Sequence, residues 1–396
     1  MPYVTQETFL FHFLKKKILK RMISKLTKTI LPVLMLMMFF STSFAQSGKE
    51  NPITTAVPFL RLAADARTSG MGDVGVATSP DANSMFYNGS KMAFNDAKSG
   101  IGITYTPWLS ELDVKNLYQI SLSSFYKLSD KEAISFGVRN FSLGTFTTTD
   151  NLGQEMGTFK PRDIAVEAGY SRKLSQKMGV GIALRYIGSK LSDNSTNSNY
   201  KNGNTVAADI STFYMNKSWN FGAAITNLGG KINYGGSSGY IPANLALGAA
   251  YNKKFNEENK ISFALDINKL MVPTPPDPND ANKVKEYENK GVVSSWFSSF
   301  GDAPDGFSEE IKEFQLGFGT EYSFKDQFML RAGYFTESKL KGNRNYLTVG
   351  AGVQYKVAGL NFSYLVPTGN NTNTNALKNT IRLSLLFDFN GANSTK

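Results

Sequence analysis

Phe314-Gln315-Leu316-Gly317-Phe318-Gly319-Thr320-Glu321-Tyr322 alternates two kinds of residue, with Phe314, Leu316, Phe318 and Tyr322 on one side and Gln315, Gly317, Gly319 and Glu321 on the other. A period of two is the side-chain repeat of an extended strand. The same pattern recurs in Leu347, Val349, Ala351, Val353 and Tyr355 against Thr348, Gly350, Gly352 and Gln354. It returns in Ile381, Leu383, Leu385, Phe387 and Phe389 against Thr380, Arg382, Ser384 and Asp388. One such strand does not say whether its apolar side faces a protein core or lipid; the whole set does. Fourteen segments of this kind run from Gly100 onward, near 100–107, 116–127, 131–144, 162–174, 177–191, 204–217, 218–228, 243–253, 258–271, 313–324, 326–338, 345–357, 358–366 and 376–389. Most match the roughly 9 to 11 residues with which a tilted strand crosses a bilayer.

The connections alternate in length. Lys127 to Lys131, Leu174 to Lys177, Asn216 to Ser218, Ser323 to Asp326 and Lys356 to Gly359 are tight, whereas 145–161, 192–203, 229–242, 272–312 and 367–375 are long and rich in Gly, Asn, Ser or Pro. Short periplasmic turns, long outer loops and an even strand number describe a closed transmembrane β-barrel with both termini on the periplasmic side. Tyr105, Tyr126, Tyr170, Tyr186, Tyr214, Tyr251, Tyr322, Tyr334 and Tyr364 fall toward strand ends, where an aromatic girdle sits. The fold expected is therefore all-β, a 14-stranded antiparallel barrel over residues 100–396.

Residues 1–45 read as an export signal. Met22 is a second start beside Met1, Lys25 and Lys28 form a basic region, Ile30 to Phe40 an apolar core, and Ser43-Phe44-Ala45 a small-residue cleavage site before Gln46. Residues 1–21 are then an upstream extension. An uncleaved anchor is the alternative, although the eleven apolar residues fall short of the roughly 20 that span hydrocarbon. This leader holds seven of the 43 Lys and Arg and one of the 32 Asp and Glu, leaving 36 against 31 and a net charge of +5. The formal +11 is thus largely a targeting feature, and nucleic-acid binding loses its support. Cysteine is absent and the single histidine, His12, lies in the leader. No Ser-His triad, Cys nucleophile or ordinary zinc site can be built from what remains. No enzyme, metal or cofactor is expected.

The side of the strands opposite the apolar one carries Arg139, Arg185, Arg331 and Arg382 with Glu167, Asp209, Asp266 and Glu321. Four charges of each sign suit pairing across a filled lumen better than a selective ion pore, whose constriction carries one dominant sign. A substrate site is the alternative reading. Residues 46–99 stand apart, with turn signals at Gly70, Gly72 and Ser79-Pro80-Asp81 and a short helix expected over Asp81 to Phe94. They read as an N-terminal hatch or plug whose Arg61, Asp65, Arg67 and Asp73 meet the lumen charges, or else as a periplasmic domain. The loop 272–312 opens with Pro273-Thr274-Pro275-Pro276-Asp277-Pro278, which stiffens it, and then offers Val292, Val293, Trp296, Phe297, Phe300 and Phe307. Apolar groups in an outer loop mark either a partner surface or packing on the barrel rim and membrane interface.

Gly75-Val76-Ala77-Thr78 followed by Asp81-Ala82-Asn83-Ser84-Met85-Phe86-Tyr87-Asn88 resembles the hatch motif of the FadL superfamily of hydrophobic-compound transporters, departing from it at Gly89-Ser90-Lys91, where that motif continues Pro-Ala-Gly. The stretches 51–86, 103–109, 141–150, 169–175, 179–191 and 204–211 together resemble the FadL-like PorV (LptO) family of the type IX secretion system of Bacteroidota. The resemblance implies an outer-membrane carrier, not an enzyme. Such a carrier docks on the SprA/Sov translocon barrel, binds cargo through the cargo's C-terminal β-sandwich signal and passes it to the PorU sortase, in contact with outer-membrane lipid and lipopolysaccharide. A FadL-like transporter of hydrophobic small molecules is the second reading, and a membrane phospholipase is excluded by the missing histidine.

Overall fold

The computed structural model describes residues 50–108, 116–150, 152–191, 201–368 and 377–389. The leader and its cleavage site lie outside the described residues, as do most of loop 192–203 and of 367–375. The strands in chain order are β1 Ser99–Pro107, β2 Leu117–Lys127, β3 Glu132–Leu143, β4 Phe146–Thr149, β5 Glu155–Phe159, β6 Arg162–Lys173, β7 Met178–Lys190, β8 Gly203–Asn216, β9 Trp219–Gly229, β10 Ile232–Asn233, β11 Ser238–Gly239, β12 Asn244–Lys254, β13 Asn259–Leu270, β14 Phe314–Phe324, β15 Phe328–Thr336, β16 Asn345–Tyr355, β17 Ala358–Pro367 and β18 Ile381–Phe389. Fourteen of them close a barrel in the order β1-β18-β17-β16-β15-β14-β13-β12-β9-β8-β7-β6-β3-β2, and each segment read from the alternation is one of these. The pairs β4–β5 and β10–β11 are separate two-stranded hairpins in the long loops, which the alternation alone did not separate.

Exposure decides which side meets lipid. Leu347, Val349 and Tyr355 are 50%, 51% and 67% exposed, while Thr348 is 2% exposed, so the apolar side points outward and the polar side is buried. A water-soluble sandwich would show the reverse. At one end the strands turn tightly, helped by left-handed backbone at Lys217, Lys325, Asp326 and Lys356, as short hairpins require. The long connections collect at the other end. The longest, between β13 and β14, folds into helices at Ala281–Asn289, Val292–Ser298 and Phe307–Glu310.

The barrel strands begin and end at the tight-turn end, where the Lys98 amide donates to the Phe389 carbonyl at 3.0 Å. β1 therefore begins and β18 ends there, as an even strand number requires, but the described residues that precede β1 start at the other end. Asn51 N–H donates to the Leu340 carbonyl at 2.9 Å and Ala56 N–H to that of Tyr240 at 2.8 Å, both in long connections. The N-terminal segment therefore threads the lumen lengthwise from the outer mouth to the tight-turn end before β1 begins. A strand count alone could not reveal this, because the segment contributes no strand.

Within the lumen the segment turns repeatedly. Asp65 caps Ala66–Ser69 by accepting from the Thr68 amide. The helix expected over 81–94 is instead two 3-10 turns, Ala82–Phe86 and Gly89–Phe94. Asn88 interrupts them: its side-chain Oδ1 accepts from the Ser90 amide while its Nδ2 donates to the Val76 and Thr212 carbonyls at 2.9 and 3.0 Å, pinning the chain to the wall. Met71, Val74 and Ala77 pack on Ala250 and Ala264 of the wall. Ala82, Met85, Phe86 and Met92 pack against Phe125, Ala133 and Leu386.

What permits this fit is glycine on the inward side of the strands. A Cβ at Gly333 would lie 2.1 Å from the Gly72 nitrogen, at Gly319 2.4 Å from the Met71 carbonyl oxygen, at Gly222 2.5 Å from the Val76 oxygen and at Gly181 2.6 Å from the Ser90 nitrogen. These obstacles are backbone, not flexible side chains, so the segment cannot make way without leaving its seat. We expect Gly333→Val to leave barrel insertion and heat-modifiable migration intact, since strand pairing and the lipid side are untouched, while unseating the segment. Trypsin should then cut at Arg61, Arg67 or Lys91, and ion conductance should appear in planar bilayers. A Gly333→Val protein that stays protected and silent would show that the close approach does not hold the segment.

Candidate functional site

Two regions concentrate the chemistry: the contact between the N-terminal segment and the wall, and the cluster that anchors the long outer loop. In the first, adjacent strands bring lumen charges together. Pairing of β6 with β7 sets Glu167 opposite Arg185, and β14 with β15 sets Glu321 opposite Arg331. Arg185 binds Glu167 and also Asp209, the latter at 2.7 Å, with both acids buried. Asp209 sits at a register shift between β8 and β9 and accepts from the Asn227 amide at 2.7 Å. Arg331 Nε donates to Glu321 at 2.6 Å, and Arg67 of the segment reaches the same carboxylate at 2.9 Å while also holding Asp81 at 2.9 Å.

The remaining lumen charges meet the segment's backbone and hydroxyls rather than opposite charges. Asp266 accepts from the Gly75 and Val76 amides at 2.7 and 2.9 Å. Arg382 donates to the Ser69 hydroxyl at 2.6 Å, and Arg139 donates to the Leu60 carbonyl at 3.3 Å with its guanidinium 5.2 Å above the Phe86 ring. Of the segment's charges, Asp73 accepts from the Tyr346 hydroxyl at 2.5 Å and Arg61 pairs with Glu337 at 3.1 Å. Asp65 does not reach a wall charge; it accepts from the Tyr87 hydroxyl at 2.7 Å inside the segment. Each of these buried charged groups therefore has at least one counter-charge or dipole, which offsets the cost of taking it out of bulk water. Lys91 donates to the Gly75 carbonyl at 2.7 Å and the Thr78 hydroxyl at 3.1 Å.

A cavity of about 110 Å³ lies beside Arg61, Arg139, Asp73, Asp266 and Asn227, and a vestibule of about 680 Å³ opens at the tight-turn end beside Arg67, Asp81 and Lys217. Among the described residues no group of acidic side chains and histidines is arranged to hold a metal ion.

The outer cluster was not visible in the sequence. Lys269, at the end of β13, pairs with Glu310 at 2.8 Å and Glu313 at 2.6 Å; Lys341 pairs with Glu309 at 2.5 Å and Glu313 at 2.9 Å. Thr274 Oγ1 donates to Glu313 at 2.7 Å, so both ends of the long loop are tied to one buried carboxylate. Above this clamp, Val293 and Phe297, four residues apart on one helical face, are 60% and 73% exposed, and Phe307 and Ile311 are 78% and 53% exposed. Val292 and Trp296 turn inward and are half-buried. Phe300, 42% exposed, lies with its ring 5.3 Å from the Lys269 ammonium. The six loop residues singled out by type thus divide into outward and inward sets; Ile311, hidden in a charged stretch, joins the outward one.

Residues 45–277 match the family described as Type IX secretion system protein PorV. Among solved structures, the barrel is similar to a TodX deltaS2S3 mutant monoaromatic hydrocarbon channel at 14% identity and TM-score 0.51, covering 82% of this chain and 98% of that one. It is similar to the CymD monoaromatic hydrocarbon channel at 13% identity and TM-score 0.51, covering 83% and 98%. The Ralstonia pickettii toluene transporter TbuX aligns at 10% identity and TM-score 0.48, covering 82% and 98%. At these identities the likeness concerns the fold. No curated protein matches the chain.

One outcome follows from this geometry. Lys341→Met strands Glu309 and part of Glu313, a local cost of about 3 kcal/mol, so hydrogen exchange in the 300–313 region should quicken about a hundredfold while the barrel strands stay protected. Unchanged exchange there would mean that the cluster does not hold the loop.

Proposed function

Because the chain belongs to the PorV family, an outer-membrane component of the type IX secretion system, we propose that it captures secreted proteins at its outer loops and hands them on. Cargo bearing the C-terminal β-sandwich signal arrives from the SprA/Sov translocon barrel, is held on the long loop between β13 and β14, and passes to the PorU sortase. The observation that carries this reading is the outward apolar set Val293, Phe297, Phe307 and Ile311, raised on short helices and fixed from below by buried charges. Solvent-exposed apolar residues on a rigid support serve an interface better than they serve a monomer. None of the proposed steps makes or breaks a bond in this polypeptide.

The similar solved structures are of monoaromatic hydrocarbon channels, which makes transport of a small apolar molecule the competing reading. Such a route needs a continuous apolar path. Here the segment occupies the lumen, and the cavity beside it mixes apolar residues such as Leu60, Phe86, Leu270 and Phe335 with Arg61, Arg139, Asp73 and Asp266, so an apolar path there is broken by charged groups that a hydrocarbon would desolvate. That favours the carrier.

Replacing Val293, Phe297 and Phe307 together by Ser should leave the barrel inserted and heat-modifiable while weakening capture of cargo or of the translocon, with each lost anchor worth about 2 kcal/mol where it is buried in the complex. Trp296→Ser is the contrast, since its loss should disturb loop packing first. Normal secretion and co-purification in the triple variant would move the contact surface away from this loop.

A further inference from the structure

The charge left after the leader is removed has a definite place. The segments 96–98, 127–132, 172–178, 217–218, 253–260, 325–327, 356–357 and 388–389, which form the tight-turn end, carry twelve Lys or Arg and seven Asp or Glu, while the rest of the sequence beyond residue 45 balances at 24 and 24. The whole excess of five positive charges is therefore at the end that faces the periplasmic leaflet.

Several of these ammonium groups rest on aromatic rings of the barrel's outer girdle. Lys98 Nζ lies 5.0 Å from the Tyr126 ring centre and Lys356 Nζ 5.5 Å from that of Tyr355, rings that are 49% and 67% exposed. Lys325 Nζ lies 5.3 Å from the Phe324 ring centre. Among the described residues neither Lys98 nor Lys356 makes an ion pair. The two flank the end of β18, for Lys98 N–H donates to Phe389 O while Asp388 N–H donates to Val357 O. A strand spacing of about 4.8 Å sets them roughly 10 Å apart. Ile101, Leu360 and Leu385 lie outward on the strands that these turns begin or end, 39%, 50% and 46% exposed.

We infer that the tight-turn end binds the phosphate headgroups of anionic phospholipid, with Lys98 and Lys356 at the core of the site and the acyl chains along the apolar wall beside them. The choice of lipid over a soluble partner rests on the rings: a cation held against a lipid-facing aromatic sits at headgroup depth, where a phosphate completes its solvation. The inference depends on membrane insertion alone and is independent of cargo capture.

The test is the full chain in nanodiscs containing spin-labelled phosphatidylglycerol or phosphatidylethanolamine, with the motionally restricted lipid read by electron paramagnetic resonance. We expect about fivefold preference for phosphatidylglycerol at low salt, weakened at about 0.5 M salt. Lys98→Gln with Lys356→Gln should abolish most of it, whereas the charge-matched Lys253→Gln with Lys254→Gln should retain it, each variant first checked for heat-modifiable folding. No preference in the wild type, equal loss in both double variants, or lipid selectivity unchanged in Lys98→Gln/Lys356→Gln while binding to an acidic periplasmic protein is lost would each overturn the proposal.

Discussion

The closeness of backbone to backbone across the lumen is the constraint on which the rest of this molecule depends. The N-terminal segment touches the barrel wall at Gly333, Gly319, Gly222 and Gly181 at distances that leave no room for a single methyl group. Small inward residues make the lumen wide enough for a folded segment and narrow enough to grip it, so close packing rather than a few strong bonds sets the position of every residue from Leu60 to Phe94.

That position then settles the electrostatics. A barrel interior lined by four arginines and four acids would be costly wherever water is excluded, and the strands alone neutralise only part of it. Arg185 with Glu167 and Asp209, and Arg331 with Glu321, pair along the wall. Asp266, Arg139 and Arg382 bond instead to the segment's amides, a carbonyl and a hydroxyl. Segment and wall are therefore complementary halves of one interior, and removing either leaves the other with unpaired buried charge.

A closed interior also explains where function is sought. The chain's first described residues bond to Leu340 and Tyr240 in two other outer connections, each of which also bonds the helical loop, through Lys341 to Glu309 and through the Tyr240 hydroxyl to the Lys290 carbonyl at 2.9 Å. The clamp of Lys269 and Lys341 on Glu309, Glu310 and Glu313 holds that loop to the rim. Barrel, segment and loop form one support that presents apolar side chains outward.

The period-two alternation determined the strands, their number and the lipid-facing side, because a strand's side-chain geometry is local and repeats every second residue whatever its neighbours are. Residue type likewise marked the lumen charges and the apolar loop residues, and the lack of His and Cys beyond residue 45 left no residues for a Ser-His triad, a Cys nucleophile or an ordinary zinc site there. Which charge meets which is a matter of register: Glu167 lies 18 positions before Arg185, and Arg67 lies 254 before Glu321. Only the folded barrel brings them within bonding distance. The lengthwise course of the N-terminal segment, the five-member ion cluster under the loop and the division of its aromatics into inward and outward sets were likewise tertiary outcomes. Each depends on groups far apart in the chain competing for one desolvated space, and a local sequence pattern carries no record of that competition.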